Sequence, residues 1–193
     1  MQTAEAPPAI ADPAPLGLAG FGTTTLMLSI ILVGLISPAG TGAVLGMAAA
    51  FGGTAQFLAG MWAFRRGNTF AATAFSSFGA FWWSFYLINV VFASGLGTAA
   101  GPVLGLYVAT WGLFTFYMFI ASLHTTRAVQ SVFLLLFITY FLLAFGYWNW
   151  FGIGTTFTHV GGGFGIATAI AALYTSFADV LNASARRVIL RTN

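Results

Sequence analysis

The sequence predicts an all-α membrane protein of six transmembrane helices, N-in and C-in. Three observations carry this. Only nine of the 193 residues are charged while 59% are apolar, whereas a soluble domain carries about 25% charged residues. Six continuous apolar stretches follow one another with short turns between them, each near the ~20 residues a span requires. With six crossings, Arg65, Arg66, Arg127, Arg186, Arg187 and Arg191 all fall on one side and none on the other, the pattern of cytoplasmic loops. The runs are continuous rather than alternating, which favours helices over a β-barrel.

Each element follows from its local sequence. Residues 1–11 are Ala/Pro-rich with Glu5 and have no basic segment ahead of an apolar one, so a flexible tail is expected rather than a cleaved signal. Residues 12–182 form the membrane domain, with spans at about 16–36, 42–64, 70–92, 102–123, 129–151 and 161–181. Ser37-Pro38-Ala39-Gly40-Thr41 reads as a turn, and Arg65-Arg66-Gly67-Asn68-Thr69 as a basic turn. Ser94-Gly95-Leu96-Gly97 opens a Gly-rich turn, His124-Thr125-Thr126-Arg127 is a second basic turn, and 152–160 is a looser loop. Residues 183–193 form a basic cytoplasmic tail. Gly42/Gly46, Gly97/Gly101/Gly105 and Gly161/Gly165 recur at the four-residue spacing that lets helices approach closely in lipid.

Absences bound the chemistry. Without Cys there are no thiolate nucleophiles, iron–sulfur clusters or thiolate zinc sites, and without Lys there is no Schiff base. Two His and three carboxylates are too few for most metal or acid–base sites. No enzyme activity, cofactor, metal or nucleic-acid partner is expected.

The polar residues inside the spans are mostly Thr and Ser, including Thr24, Thr25 and Thr73. Such hydroxyls can bond back to their own helix. Gln56 and Asn89 differ, because an amide has too many donor and acceptor sites to satisfy within one helix. Gln56 is the foremost candidate for a pore residue. Asp12 precedes two prolines at the mouth of span 1. A helix start there favours an anion through its free N–H groups, although an Asp cap competes with one. Asp179 lies near the inner end of span 6 and is a candidate for proton coupling or an interfacial partner of Arg186 or Arg127. His124 and His159 sit at loop edges. The whole set suits passage of a small solute past neutral hydrogen-bond donors and aromatic walls, with Phe78-Gly79-Ala80-Phe81-Trp82-Trp83 the densest aromatic cluster.

Several motifs together resemble the acetate uptake transporter family. Asp12-Pro13-Ala14-Pro15-Leu16-Gly17-Leu18 is similar to its N-P-A-P-L-G-L signature, with Asp in place of the first Asn. The likeness continues through Gly52-Gly53-Thr54-Ala55-Gln56, Gly67-Asn68-Thr69-Phe70, Thr73-Ala74-Phe75 and Trp111-Gly112-Leu113-Phe114-Thr115. It reaches Tyr174 and Asp179-Val180-Leu181-Asn182. Members are acetate channels or acetate/succinate–proton symporters.

The resemblance implies a hexameric ring in the plasma membrane, with one solute path per protomer. It also implies a hydrophobic constriction at Phe21, Phe78 and Leu136, Phe78 standing where the family has Tyr. Thr24, Thr25 and Gln56 match polar residues beside that path, and Asp179 matches the helix-6 carboxylate. The expected partners are acetate, other short carboxylates such as succinate, and the bilayer. Passage is either channel-like or coupled to protons through Asp179 or Asp12. A channel for a neutral solute such as ammonia or water is the alternative, and a membrane protein without transport is a third reading.

Overall fold

In the computed structural model the described residues are 10–193, all helix and turn with no strand among them. Residues 1–9, most of the expected tail, lie outside them. Helix α1 is Ala14–Leu32. Helices α2 (Thr41–Met47) and α3 (Gln56–Arg65) are joined by a wider, π-wound stretch, Ala48–Ala55. Helix α4 is Thr69–Leu87, α5 the short Ala93–Leu96 and α6 Ala100–Ser122. Helices α7 (Arg127–Tyr147) and α8 (Gly154–Ala185) complete the chain.

Among the described residues five helical runs are long and apolar enough to cross a membrane, because Thr69–Ser122 is wound continuously over 54 residues. That run is nevertheless folded on itself. At ~1.5 Å per residue a straight helix would hold Phe81 and Trp111 about 45 Å apart, yet their rings lie 5.2 Å centre to centre. The reversal falls at Gly97, whose φ of 50° and ψ of −133° suit a residue without Cβ. The Gly-rich turn expected here is therefore a helical corner rather than an open loop.

The bundle closes in the order α1, α2–α3, α4, α6, α7, α8 and back to α1. Small residues set its spacing. A Cβ on Gly79 would stand 2.7 Å from the Phe57 nitrogen and 2.9 Å from the Gly53 carbonyl oxygen, so α4 meets the π-wound stretch backbone to backbone. Gly162 and Gly165 let α8 approach α1 at Leu32, Val33 and Ser29. By contrast a Cβ on Gly42 or Gly46 would meet no atom of another element within 4 Å among the described residues.

The ends are specified locally. Gly67, at φ 72°, closes α3, and the next residue, Asn68, accepts the Ala71 N–H at 3.0 Å to cap α4. The G-N-T-F motif is thus a stop followed at once by a start. Helix α8 begins at Gly154, ahead of the apolar stretch and inside what the sequence reads as loop. The Asn149 side chain accepts the Gly154 N–H at 2.9 Å, so a distant cap starts a helix whose first turns are polar.

Burial is arranged for lipid. Leu106, Leu113, Phe116, Tyr117 and Ile120 of α6 are exposed, whereas Thr24, Gln56, Thr115 and Thr168 are fully buried. Contiguous apolar surface of this kind faces hydrocarbon or another subunit.

Candidate functional site

Two cavities run into the bundle from opposite ends. The inner one, about 180 Å³, opens at the Arg-bearing end beside Asn68, Thr125 and Thr126. It is otherwise walled by apolar side chains of α1, α4 and α7, with Gln56 and Asp179 among its polar residues. The outer one, about 310 Å³, opens near Asn89, Leu96 and Thr158. One water needs only about 10–15 Å³ of such space, so either holds a solute of a few heavy atoms.

The cavities back onto each other through two helices. On α4, Phe78 lines the inner cavity and Phe81 the outer. On α7, Leu136 lines the inner and Tyr140 the outer. Phe21 of α1 completes the floor of the inner cavity, its ring 5.7 Å from that of Phe78. Phe21, Phe78 and Leu136 are each 4% exposed or less. Phe78 is further held by Phe114, Trp111 and Phe133, at 5.4, 6.0 and 6.1 Å between centroids.

Gln56 is 1% exposed, and its Oε1 has no hydrogen-bond partner among the described residues. It follows directly on the π-wound stretch, where Thr54 donates to the Ala49 carbonyl five residues back at 2.9 Å. Trp83 Nε1 donates to the same carbonyl and to Thr54 Oγ1, each at 3.3 Å. Such winding admits an extra residue per turn and turns the following side chains, which brings Gln56 to the cavity.

The other expected residues are distributed more widely. Thr24 is buried and donates to its own Gly20 carbonyl at 2.8 Å, as a structural hydroxyl does. Thr25 is buried with its Oγ1 unpartnered. Neither lines a cavity described here, nor does the half-buried Thr73. Asn89 is exposed, lines the outer cavity, and donates to the Phe85 carbonyl of its own helix at 2.8 Å.

Asp12 sits at the rim. Its Oδ1 accepts the Ala14 N–H at 3.0 Å and pairs with Arg66 at 3.4 Å. It is therefore a cap and an ion-pair partner, and it lines a shallow pocket with Arg66 rather than the inner cavity. This is the ion pair found among the described residues, so Asp179 pairs with neither Arg186 nor Arg127. Asp179 is half-buried and faces the inner cavity. One turn earlier, Ser176 donates to the Pro15 carbonyl at 2.7 Å and fastens α8 to the mouth of α1. His124 and His159 are exposed.

Sequence reasoning missed Tyr107 and Tyr140. The available signal was spacing: Tyr140 lies four residues beyond Leu136, on the same helix face.

The model of the "GPR1/FUN34/yaaH family" matches residues 2–192. The succinate-acetate/proton symporter SatP of Escherichia coli (strain K12) is 39% identical over 184 residues, covering 94% of each chain. A solved structure described as that of the bacterial acetate channel SatP superposes with a TM-score of 0.88 at 37% identity, over 95% of this chain and 99% of that one. The ammonia transport outward protein 2 of Saccharomyces cerevisiae is 36% identical over 88% of this chain, which spans 61% of that protein's length.

Proposed function

We propose, from the premise that this chain belongs to the GPR1/FUN34/yaaH family, that it carries acetate and related short carboxylates such as succinate across a membrane. One observation carries the reading. Two cavities enter from opposite ends and are separated by an uncharged aromatic and aliphatic layer, Phe21, Phe78 and Leu136 closing the one and Phe81 and Tyr140 lining the other. A carboxylate entering the inner cavity meets the Gln56 amide, gives up part of its hydration to it, and leads with its methyl between the rings. Binding without a buried cation is weak, and weak binding suits release.

The same reading extends to topology and assembly. It places six crossings in the plasma membrane, the fold at Gly97 dividing Thr69–Ser122 into two of them. Both termini lie inside, and six protomers form a ring with one path each. Gln56 and the ring form the path, with Thr24, Thr25 and Thr73 supporting its walls. Asp179, in the inner cavity, is the group placed to exchange a proton with a passing acid, and Asp12 orders the mouth.

The chain has no Cys, so single replacements report sidedness cleanly. In intact cells Thr98→Cys should react with a membrane-impermeant maleimide. Arg187→Cys should react only after permeabilisation, and the opposite pattern refutes the orientation.

Proteoliposomes test the function. Labelled acetate should enter, and an imposed inward proton gradient should drive its accumulation if Asp179 couples the two. Entry that follows acetate's own electrochemical gradient alone means channel passage. The yeast relative named for ammonia transport supports a second reading only weakly. Ammonia flux without acetate flux in the same vesicles would establish that reading instead.

A further inference from the structure

Above the ring, the outer cavity begins with a tier of side chains one helical turn further along. Tyr140 stands one turn beyond Leu136 on α7, and Phe81 nearly one turn beyond Phe78 on α4. Their rings meet edge to face, 5.4 Å apart at 82°. Phe81 also stacks on Tyr107 of α6, 5.9 Å apart at 15°. The Tyr107 hydroxyl is committed, sharing a 2.6 Å hydrogen bond with Ser84 Oγ.

The Tyr140 hydroxyl is not committed. Tyr140 is 4% exposed, yet its hydroxyl makes no hydrogen bond to any described residue. The hydroxyl is not one of the fully buried unpartnered side-chain atoms, so it opens onto the cavity, and a largely buried Tyr usually finds a partner for its hydroxyl. A Phe would satisfy the packing against Phe81 equally well. The hydroxyl is therefore free to bond a solute or water in the cavity that Tyr140 lines.

We propose that Tyr140 is a specificity-determining residue: its hydroxyl donates a hydrogen bond to the carboxylate of the solute in the outer cavity, just past the ring. Gln56 and Tyr140 then flank the ring from its two sides. The step from Leu136 to Tyr140 is four residues, a rise of about 6 Å, so a two-carbon carboxylate reaches one polar group while its methyl still lies between the rings. Hydrogen bonds to an ionised oxygen are roughly twice as strong as neutral ones, so the hydroxyl favours a carboxylate over an uncharged solute. The inference rests on the proposed carboxylate transport.

Tyr140→Phe removes one oxygen and keeps the ring, so folding should be retained; thermal unfolding and gel filtration in detergent check this. The half-saturating acetate concentration for uptake should rise about 10–100-fold, the effect of losing one hydrogen bond to a charged group. A purely structural tyrosine would change the yield of folded protein and leave half-saturation alone. Broadening of the ¹³C-acetate signal by detergent-solubilised protein gives a second readout without flux, and it should weaken in the variant. Wild-type protein that neither binds nor carries acetate overturns the transport reading and this inference with it. Wild type that does both, matched by Tyr140→Phe in both, overturns this inference alone.

Discussion

Replacing Phe78 by Ala should cut the discrimination between acetate and butyrate by about tenfold or more, because a pocket distinguishes one methylene by about 10–200-fold. Phe78 is the centre of the aromatic floor, with Phe21, Phe114, Trp111 and Phe133 within about 6 Å of its ring. Its removal leaves a gap that none of these rings can fill without losing another contact. The stability cost should be about 3–5 kcal/mol, typical of a buried Phe→Ala change. Phe78→Leu restores most of the volume and should recover stability and much of the selectivity. Paired uptake of acetate and butyrate into proteoliposomes, with detergent unfolding curves, measures both. Unchanged discrimination in a folded Phe78→Ala protein would remove Phe78 from the constriction.

The parts of this molecule that the sequence displays are those set by composition and by local chemistry. Apolar runs mark the helices because lipid demands internally satisfied backbone. Gly67 and Asn68 mark a stop and a start because a residue without Cβ suits the positive φ and an amide oxygen suits the cap. The Thr24 hydroxyl bonds its own helix, as expected of Thr in a span. What stayed hidden depends on tertiary approach or on winding. Nothing local in Ala48–Ala55 announces π winding, in which the Ala49 carbonyl is used by Thr54 of the same run and by Trp83 from another helix. The start of α8 at Gly154 depends on a cap from Asn149, outside the apolar pattern. Asp12 shows the limit of motif reading. Its place at the mouth was legible, but its commitment to Arg66 required the turn between α3 and α4 to fold back beside α1. Tyr140 carried no sequence signal beyond its register with Leu136, because aromatic residues are common in spans.

Replacing Gln56 by Ala should lower acetate flux at subsaturating concentration by roughly 10–100-fold, the effect of losing one hydrogen bond to a charged group. The accompanying loss of stability should be small, and its size separates the two roles open to a buried amide. A Gln that bridges helices has its polar atoms met by protein, and truncation then strands its partners at about 1–3 kcal/mol each. Gln56 Oε1 has no such partner among the described residues. Truncation therefore relieves an unmet carbonyl, partly offsetting the packing lost from a side chain that is 1% exposed. Gln56→Glu keeps the shape but exchanges the amide N–H donors for a negative charge, so it should block acetate entry at neutral pH more completely than Ala. Near-wild-type flux in Gln56→Ala, together with a clear fall in the unfolding temperature, would identify Gln56 as a helix-bridging residue and move the recognition of the carboxylate to the outer side of the ring.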